Sequence, residues 1–129
     1  MEIRTSAQTS PCHDGVYHTY KSILWIEGKE SGSFIFGGLG FGSGTMSMEI
    51  SIDDEHQKKG YSRTMVRALC AFIRDTVSKE QLLFIDTDAS GGFWEYLGMV
   101  DNPGYDHYTK DQEGGGYEKV ITFEKLCQF

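Results

Sequence analysis

The stretch Ile50-Ser51-Ile52-Asp53-Asp54-Glu55-His56-Gln57-Lys58-Lys59-Gly60-Tyr61-Ser62 changes texture halfway along. Up to Ile52 it closes an alternating run; beyond Ser62 apolar residues recur every three or four positions. A strand therefore passes through a polar loop into the start of a helix. Free backbone amides and the positive end of the helix dipole make such a start an anion site. Gly60 lets a ligand come close to the backbone, and Lys58, Lys59 and Arg63 set positive charge beside it. A diphosphate fits that description.

Downstream, Met65, Val66, Leu69, Cys70, Phe72, Ile73 and Val77 form an apolar stripe that predicts an amphipathic helix over 62–78, about four turns long. Ser62 or a neighbour is its expected cap. Residues 81–86 read as a buried strand and 92–97 as a short helix closed by Gly98. Met99 and Val100 begin an extended piece. After a polar excursion over 101–116, residues 117–123 alternate as a last strand. Upstream, antiparallel strands are predicted over 22–27, 33–37 and 45–52, with turns at 28–32 and 40–44. The first twenty residues carry Pro11 and Gly15 and predict only a short strand or arm. The glycine-rich run 37–44 has neither Gly-x-Gly-x-x-Gly nor Gly-Lys-Ser/Thr spacing and no helix after it, so it reads as a strand connection. The whole predicts one α/β domain over 1–129, an α+β mixed sheet with helices packed upon it.

The length of 129 residues suits one core, and 39% hydrophobic content with 24% charge excludes global disorder. Nineteen acidic against twelve basic side chains give −7, which argues for cationic partners and against nucleic acid or an anionic membrane. Lys58, Lys59, Arg63 and Arg67 are a third of that basic total, so one basic island sits in an acidic chain. Three widely spaced cysteines, Cys12, Cys70 and Cys127, support neither a disulfide framework nor a zinc site, and Cys12 beside His13 lacks a second pair. A reducing, cytoplasmic setting without a metal is expected. No apolar run approaches the ~18–20 residues that span a bilayer.

Gln57-Lys58-Lys59-Gly60-Tyr61-Ser62 resembles the loop written Gln/Arg-x-x-Gly-x-Gly/Ala in the GNAT superfamily of acetyl-CoA-dependent N-acetyltransferases. Gln57 and Gly60 match, and Ser62 stands as a small substitute. A second signature, typically Phe-Tyr-Glu-Lys-Leu-Gly-Phe, is similar to Phe93-Trp94-Glu95-Tyr96-Leu97-Gly98-Met99 at the family's interval of about thirty residues. The resemblance covers residues 33–123. It implies a mostly antiparallel sheet splayed at the cofactor strand, a long helix after the pyrophosphate loop and a short second helix. It further implies that the strand bearing Ile50 and Ile52 offers backbone groups to the pantetheine arm. The loop from Gln57 through Lys58, Lys59, Gly60 and Tyr61 to Ser62 would cradle the pyrophosphate, with Arg63 near phosphate. Acetyl-CoA is the implied donor, and direct attack by a neutral amine the implied reaction.

The proton carriers are harder to place. The family's acid, a tyrosine four residues before the glycine, corresponds to Trp94, whose indole is a poor proton donor. Tyr96 lies about 200° further round that helix and is expected to face elsewhere; water or the product amine is the substitute. For a base, strand alternation turns Glu49 away from the face of Ile50 and Ile52 unless a bulge shifts the register. Glu49 is thus either a base or a solvent-facing strand carboxylate. Asp86 and Asp88 end the neighbouring strand and suit a cationic amine, although Asp88 equally suits a loop-shaping role. His56 reads as a loop neighbour of phosphate or an exposed residue, and Tyr105, His107 and Tyr108 as an overhanging loop. Trp25, Phe34, Phe36 and Phe41 read as core, and Cys70 as packing.

The family's helices between its first two strands have no counterpart in the first twenty residues. An open acceptor site, or one completed in a homodimer, is therefore expected. The acceptor implied by the acidic remainder is a small cationic amine such as a polyamine, with a protein N-terminus or lysine as alternative. A non-catalytic acyl-CoA-binding module and a loop for some other phosphate are the rival readings.

Overall fold

The computed structural model describes residues 1–12, 15–38, 46–85, 92–103 and 117–129. Among these residues seven strands form one sheet: β1 Glu2–Cys12, β2 Gly15–Ile26, β3 Lys29–Gly38, β4 Met46–Ile52, β5 Leu82–Ile85, β6 Val100–Asp101 and β7 Lys119–Thr122. Among the described residues three helices accompany it: α1 Tyr61–Ile73, α2 Phe93–Leu97 and α3 Phe123–Leu126. The spatial order is β1-β2-β3-β4-β5-β7-β6. Every neighbouring pair is antiparallel except β4 with β5. This is the mixed, mostly antiparallel sheet with few helices that the sequence predicts.

The first twenty residues depart from expectation. They are not a short arm: β1 pairs with β2 in continuous register from Glu2↔Trp25 to Cys12↔Gly15. Only two residues separate these strands, which leaves no room for an intervening helix. The polar run carries no sequence period because its outer half is exposed on both faces, so no burial imposes one. The hairpin from β2 to β3 is also tighter than predicted. Glu27 (φ 53) and Gly28 (φ 77) both take positive φ, the signature of a two-residue primed turn that follows the strand twist.

One face of the sheet builds the core. Leu24, Phe34, Phe36, Met46 and Leu83 on that face are fully buried. Met65, Val66, Leu69, Cys70 and Ile73 of α1 meet them. The helix stops at Ile73, earlier than the apolar pattern suggests. Thr76 and Val77 amides turn back to the Ile73 carbonyl, so Val77 is buried from a turn, while Phe72 is 52% exposed. The predicted last strand ends at Thr122, whose hydroxyl accepts the Lys125 amide and caps the unforeseen α3. Phe123 of α3 packs on Phe36, ring centroids 6.3 Å apart.

Candidate functional site

Pairing between β4 and β5 covers only Met46↔Leu83 and Ser47↔Phe84 among the described residues. Past Ser47, β4 has no further pairing with β5 among the described residues on its way to Ile52. A 3-10 turn at Asp54–His56 and a bend then lead to Gly60, which precedes α1 in the left-handed region at φ 81, ψ 4. No side chain caps α1; the first helical amides therefore stay open to a ligand. The expected cap by Ser62 does not form, because Ser62 is already inside the helix and Gly60 has no side chain to offer.

A cleft of about 670 Å³ opens between these parts. Ile50, Ile52, Gln57, Lys58, Gly60, Ser62 and Arg63 line it, joined by Phe93, Tyr96 and Phe129. Lys59 and Tyr61, nominated with them, are not on its wall. Gln57 works inward: its Nε2 donates to the Ile52 carbonyl at 3.0 Å and to Asp54 Oδ1 at 3.1 Å. It thereby braces the loop. Lys58 holds φ 63, a left-handed strain that surroundings must enforce in a residue with a Cβ. A Cβ added at Gly60 would meet nothing within 4 Å, so space lies open at the helix start. His56 is off the wall, its Nε2 3.4 Å from Glu55 Oε1 and its ring edge-on to Tyr61.

The second helix reverses the expected division of labour. Trp94 is 5% exposed within the core and does not line the cleft. Tyr96, expected to face elsewhere, is 68% exposed and does line it. The angular offset between the two is as predicted, but the core claims Trp94. Arg63 donates to the Tyr96 hydroxyl at 2.7 Å, and its guanidinium lies 4.9 Å from the Phe129 ring centroid. Phe129 packs edge-on against Phe93 and Tyr96. Nothing in the spacing of the sequence marks Phe129; it reaches the cleft because α3 turns the chain back beneath α1, where Arg67 Nε donates to the Phe129 main-chain oxygen at 3.0 Å.

The β3–β4 ladder runs unbroken from Gly32↔Ile52 to Gly38↔Met46. With no bulge, Glu49 points to the face opposite Met48 and Ile50, exposed and paired across to Ile35. The bulge that would make it a base is absent. Asp86, Asp88, Phe41, Tyr105, His107 and Tyr108 lie outside the described residues. α2 is anchored by Lys119, whose ammonium bonds Asp101 Oδ1 at 2.9 Å and Glu95 Oε1 at 3.0 Å. Those bonds, Asp101 first, raise the Lys119 pKa above its usual value. Burial raises that of Cys70, and the hydrogen-bonded Cys127 thiol adds to it.

No protein-family model matches the sequence, and no curated relative matches it. Among solved structures, a protein assigned to the GNAT acetyltransferases from Desulfovibrio desulfuricans superposes with TM-score 0.58 at 17% identity, over 83% of this chain and 69% of the other. A chain in the AtaT–AtaR complex bound to DNA superposes with TM-score 0.54 at 15% identity, over 84% and 70%. A Trypanosoma brucei acetyltransferase gives TM-score 0.45 at 18% identity, over 64% and 61%. The fold is GNAT-like. The second neighbour corrects one expectation: a chain of this fold stands in a complex bound to DNA, so the acidic total does not exclude nucleic acid. Net charge averages over the surface, and a local basic island escapes that average. Among the described residues no helix is long and apolar enough to cross a membrane.

Proposed function

We propose that the protein is an acetyl-CoA-dependent N-acetyltransferase acting on a primary amine. The observation that carries this reading is one cleft joining the end of β4, the uncapped start of α1 and the cations Lys58 and Arg63, within a GNAT-like fold. The donor set suits a diphosphate: open amides, two cations, space at Gly60 and no Asp or Glu side chain among the described lining residues. The coenzyme would supply an activated thioester. The chain would bind its phosphates at Gly60, Ser62 and Arg63, lay its arm along Ile50 and Ile52, and hold water away with Phe93 and Phe129.

The acceptor side is left broad by the lack of any helix between β1 and β2. A small cationic amine is the preferred acceptor because the chain outside the basic island is strongly acidic, and a peptide amine is the alternative. Burial of Trp94 and the outward turn of Glu49 favour a second reading, a module that binds acyl-CoA without turnover. Thiol release from acetyl-CoA, followed across polyamines, lysine peptides and free N-termini, separates the two. Release that depends on an amine supports the enzyme; tight binding of coenzyme A with no release on any amine would leave only the binding module.

A further inference from the structure

Cys70 and Cys127 come from distant parts of the chain, yet their thiols meet. Cys70 lies on the buried face of α1, while Cys127 closes the end of α3 and packs against the same core. The Cys70 thiol donates a hydrogen bond to the Cys127 sulfur, and both cysteines are free. Their neighbours hold this approach. Arg67, three residues before Cys70 and so on the same side of α1, donates through Nε to the Phe129 main-chain oxygen at 3.0 Å. The Cys127 amide turns back to the Phe123 carbonyl at 3.0 Å, and the Phe129 amide to that of Leu126 at 3.1 Å. The turn after α3 thus lies against α1 with two sulfurs in contact.

The two thiols differ in access. Cys70 is 3% exposed, whereas Cys127 is only partly buried, so an oxidant from solution meets Cys127 first. Burial, and after it the neighbouring Cys127 sulfur, raise the Cys70 pKa, while the Arg74 cation opposes them. Cys70 therefore stays a thiol in the resting protein. Once the Cys127 sulfur is bonded to an oxidant it carries no charge to repel a Cys70 thiolate, and the Arg74 guanidinium favours that thiolate as it forms. An accessible sulfur with a resolving thiol already touching it has the parts of a two-step exchange. Neither cysteine lines the cleft, so the pair stands whether or not a coenzyme binds there.

We propose that Cys70 and Cys127 are an oxidation-responsive dithiol that closes to an intramolecular disulfide on exposure to a low-molecular-weight disulfide, tying α1 to the turn after α3 and fixing Phe129 on the cleft wall. With oxidised glutathione as the oxidant, the Cys127 thiolate attacks one glutathione sulfur and releases the first glutathione thiolate. Cys70 then attacks the Cys127 sulfur and releases the second. One S–S bond forms in the protein and one breaks in the oxidant, which is reduced to two thiols and takes up both cysteine protons. The new bond closes a loop of roughly sixty residues, which raises the melting temperature by about 10 °C.

The test incubates the native full chain, as wild type and as Cys12→Ser, with oxidised glutathione, traps remaining thiols and maps the linked peptides by mass spectrometry. The expected product is a monomeric chain lighter by two hydrogens, linked from Cys70 to Cys127, with the higher melting temperature and slower hydrogen exchange at the Cys127, Gln128 and Phe129 amides. Dithiothreitol should reverse all three changes. Adding Cys127→Ser, at a partly exposed position, to the Cys12→Ser chain should abolish the response to oxidant. A native chain that stays reduced, or stops at a glutathione adduct on Cys127, while the same chain closes the bond in denaturant overturns the proposal. A bond that forms natively yet leaves melting and terminal exchange unmoved likewise overturns it, since the turn would then not be tied to α1.

Discussion

Gly60→Ala separates backbone strain from ligand room. Gly60 sits at φ 81 with nothing within 4 Å of an added Cβ, so the folded chain meets no clash. The cost is conformational: an L-residue in the left-handed well costs about 1 kcal/mol, a fall in Tm of about 3–5 °C for a chain of this size. Gly28 offers a matched control, with φ +77, no neighbour within 4 Å and no place on the cleft wall. Both alanine variants should therefore lose the same stability. They should differ in binding, since only at Gly60 does the methyl occupy space against which a diphosphate must lie. Displacing the ligand from one charge-assisted bond with the helix amides weakens it about tenfold. Coenzyme A titration should then show at least that loss for Gly60→Ala and none for Gly28→Ala. Gly60→Asn, which tolerates the left-handed well, should recover stability without recovering affinity. Equal coenzyme affinity in the Gly60→Ala and Gly28→Ala proteins would refute the placement of phosphate at this helix start.

Ser22 is fully buried, and its hydroxyl has no partner among the described residues; Ser22→Ala should leave stability unchanged or raise it by about 1 kcal/mol in denaturant titration. Gly32→Ala should lower the denaturation midpoint sharply, because its Cβ would lie 2.8 Å from the Ser51 carbonyl oxygen of the paired strand. Tyr20, Cys70 and Lys119 all have pKa values raised in the fold, by burial for the first two and by the Asp101 and Glu95 bonds for Lys119. Their stabilising contributions are complete below the unfolded values and are lost as pH rises beyond them. Melting temperature should therefore fall above about pH 9, and Lys119→Met should flatten part of that alkaline limb. If the protein is the proposed acetyltransferase, Glu49→Gln should leave its turnover unchanged, since the side chain lies on the opposite face from Ile50 and Ile52; loss of turnover with an intact coenzyme Kd would restore it as a base.

The elements legible in the sequence are those with one buried face. The apolar stripe of α1 and the alternation of β4 locate themselves because burial imposes a period on them. The outer half of β1 and β2 is exposed on both faces, so hydrogen bonding alone organises it and composition carries no trace. Where a stripe does mislead, as at Phe72 and Val77, the cause is a turn: Val77 reaches the core after the helix has ended.

The site follows the same logic with one further twist. The loop from Gln57 to Arg63 is legible because its chemistry is local: a glycine, cations and a helix start adjoining in sequence. Phe129 is not, because the turn of α3 carries it to α1 across some sixty residues. Trp94 and Tyr96 are legible only as a pair on opposite sides of one short helix; which side meets the cleft depends on what the core demands. An indole buries more apolar surface than a phenol, whose hydroxyl needs a partner. Trp94 goes inward and Tyr96 outward to Arg63 for that reason. A tryptophan at the position where the family places its acid is thus a packing choice, and the same choice sets a phenolic hydroxyl on the cleft two residues later.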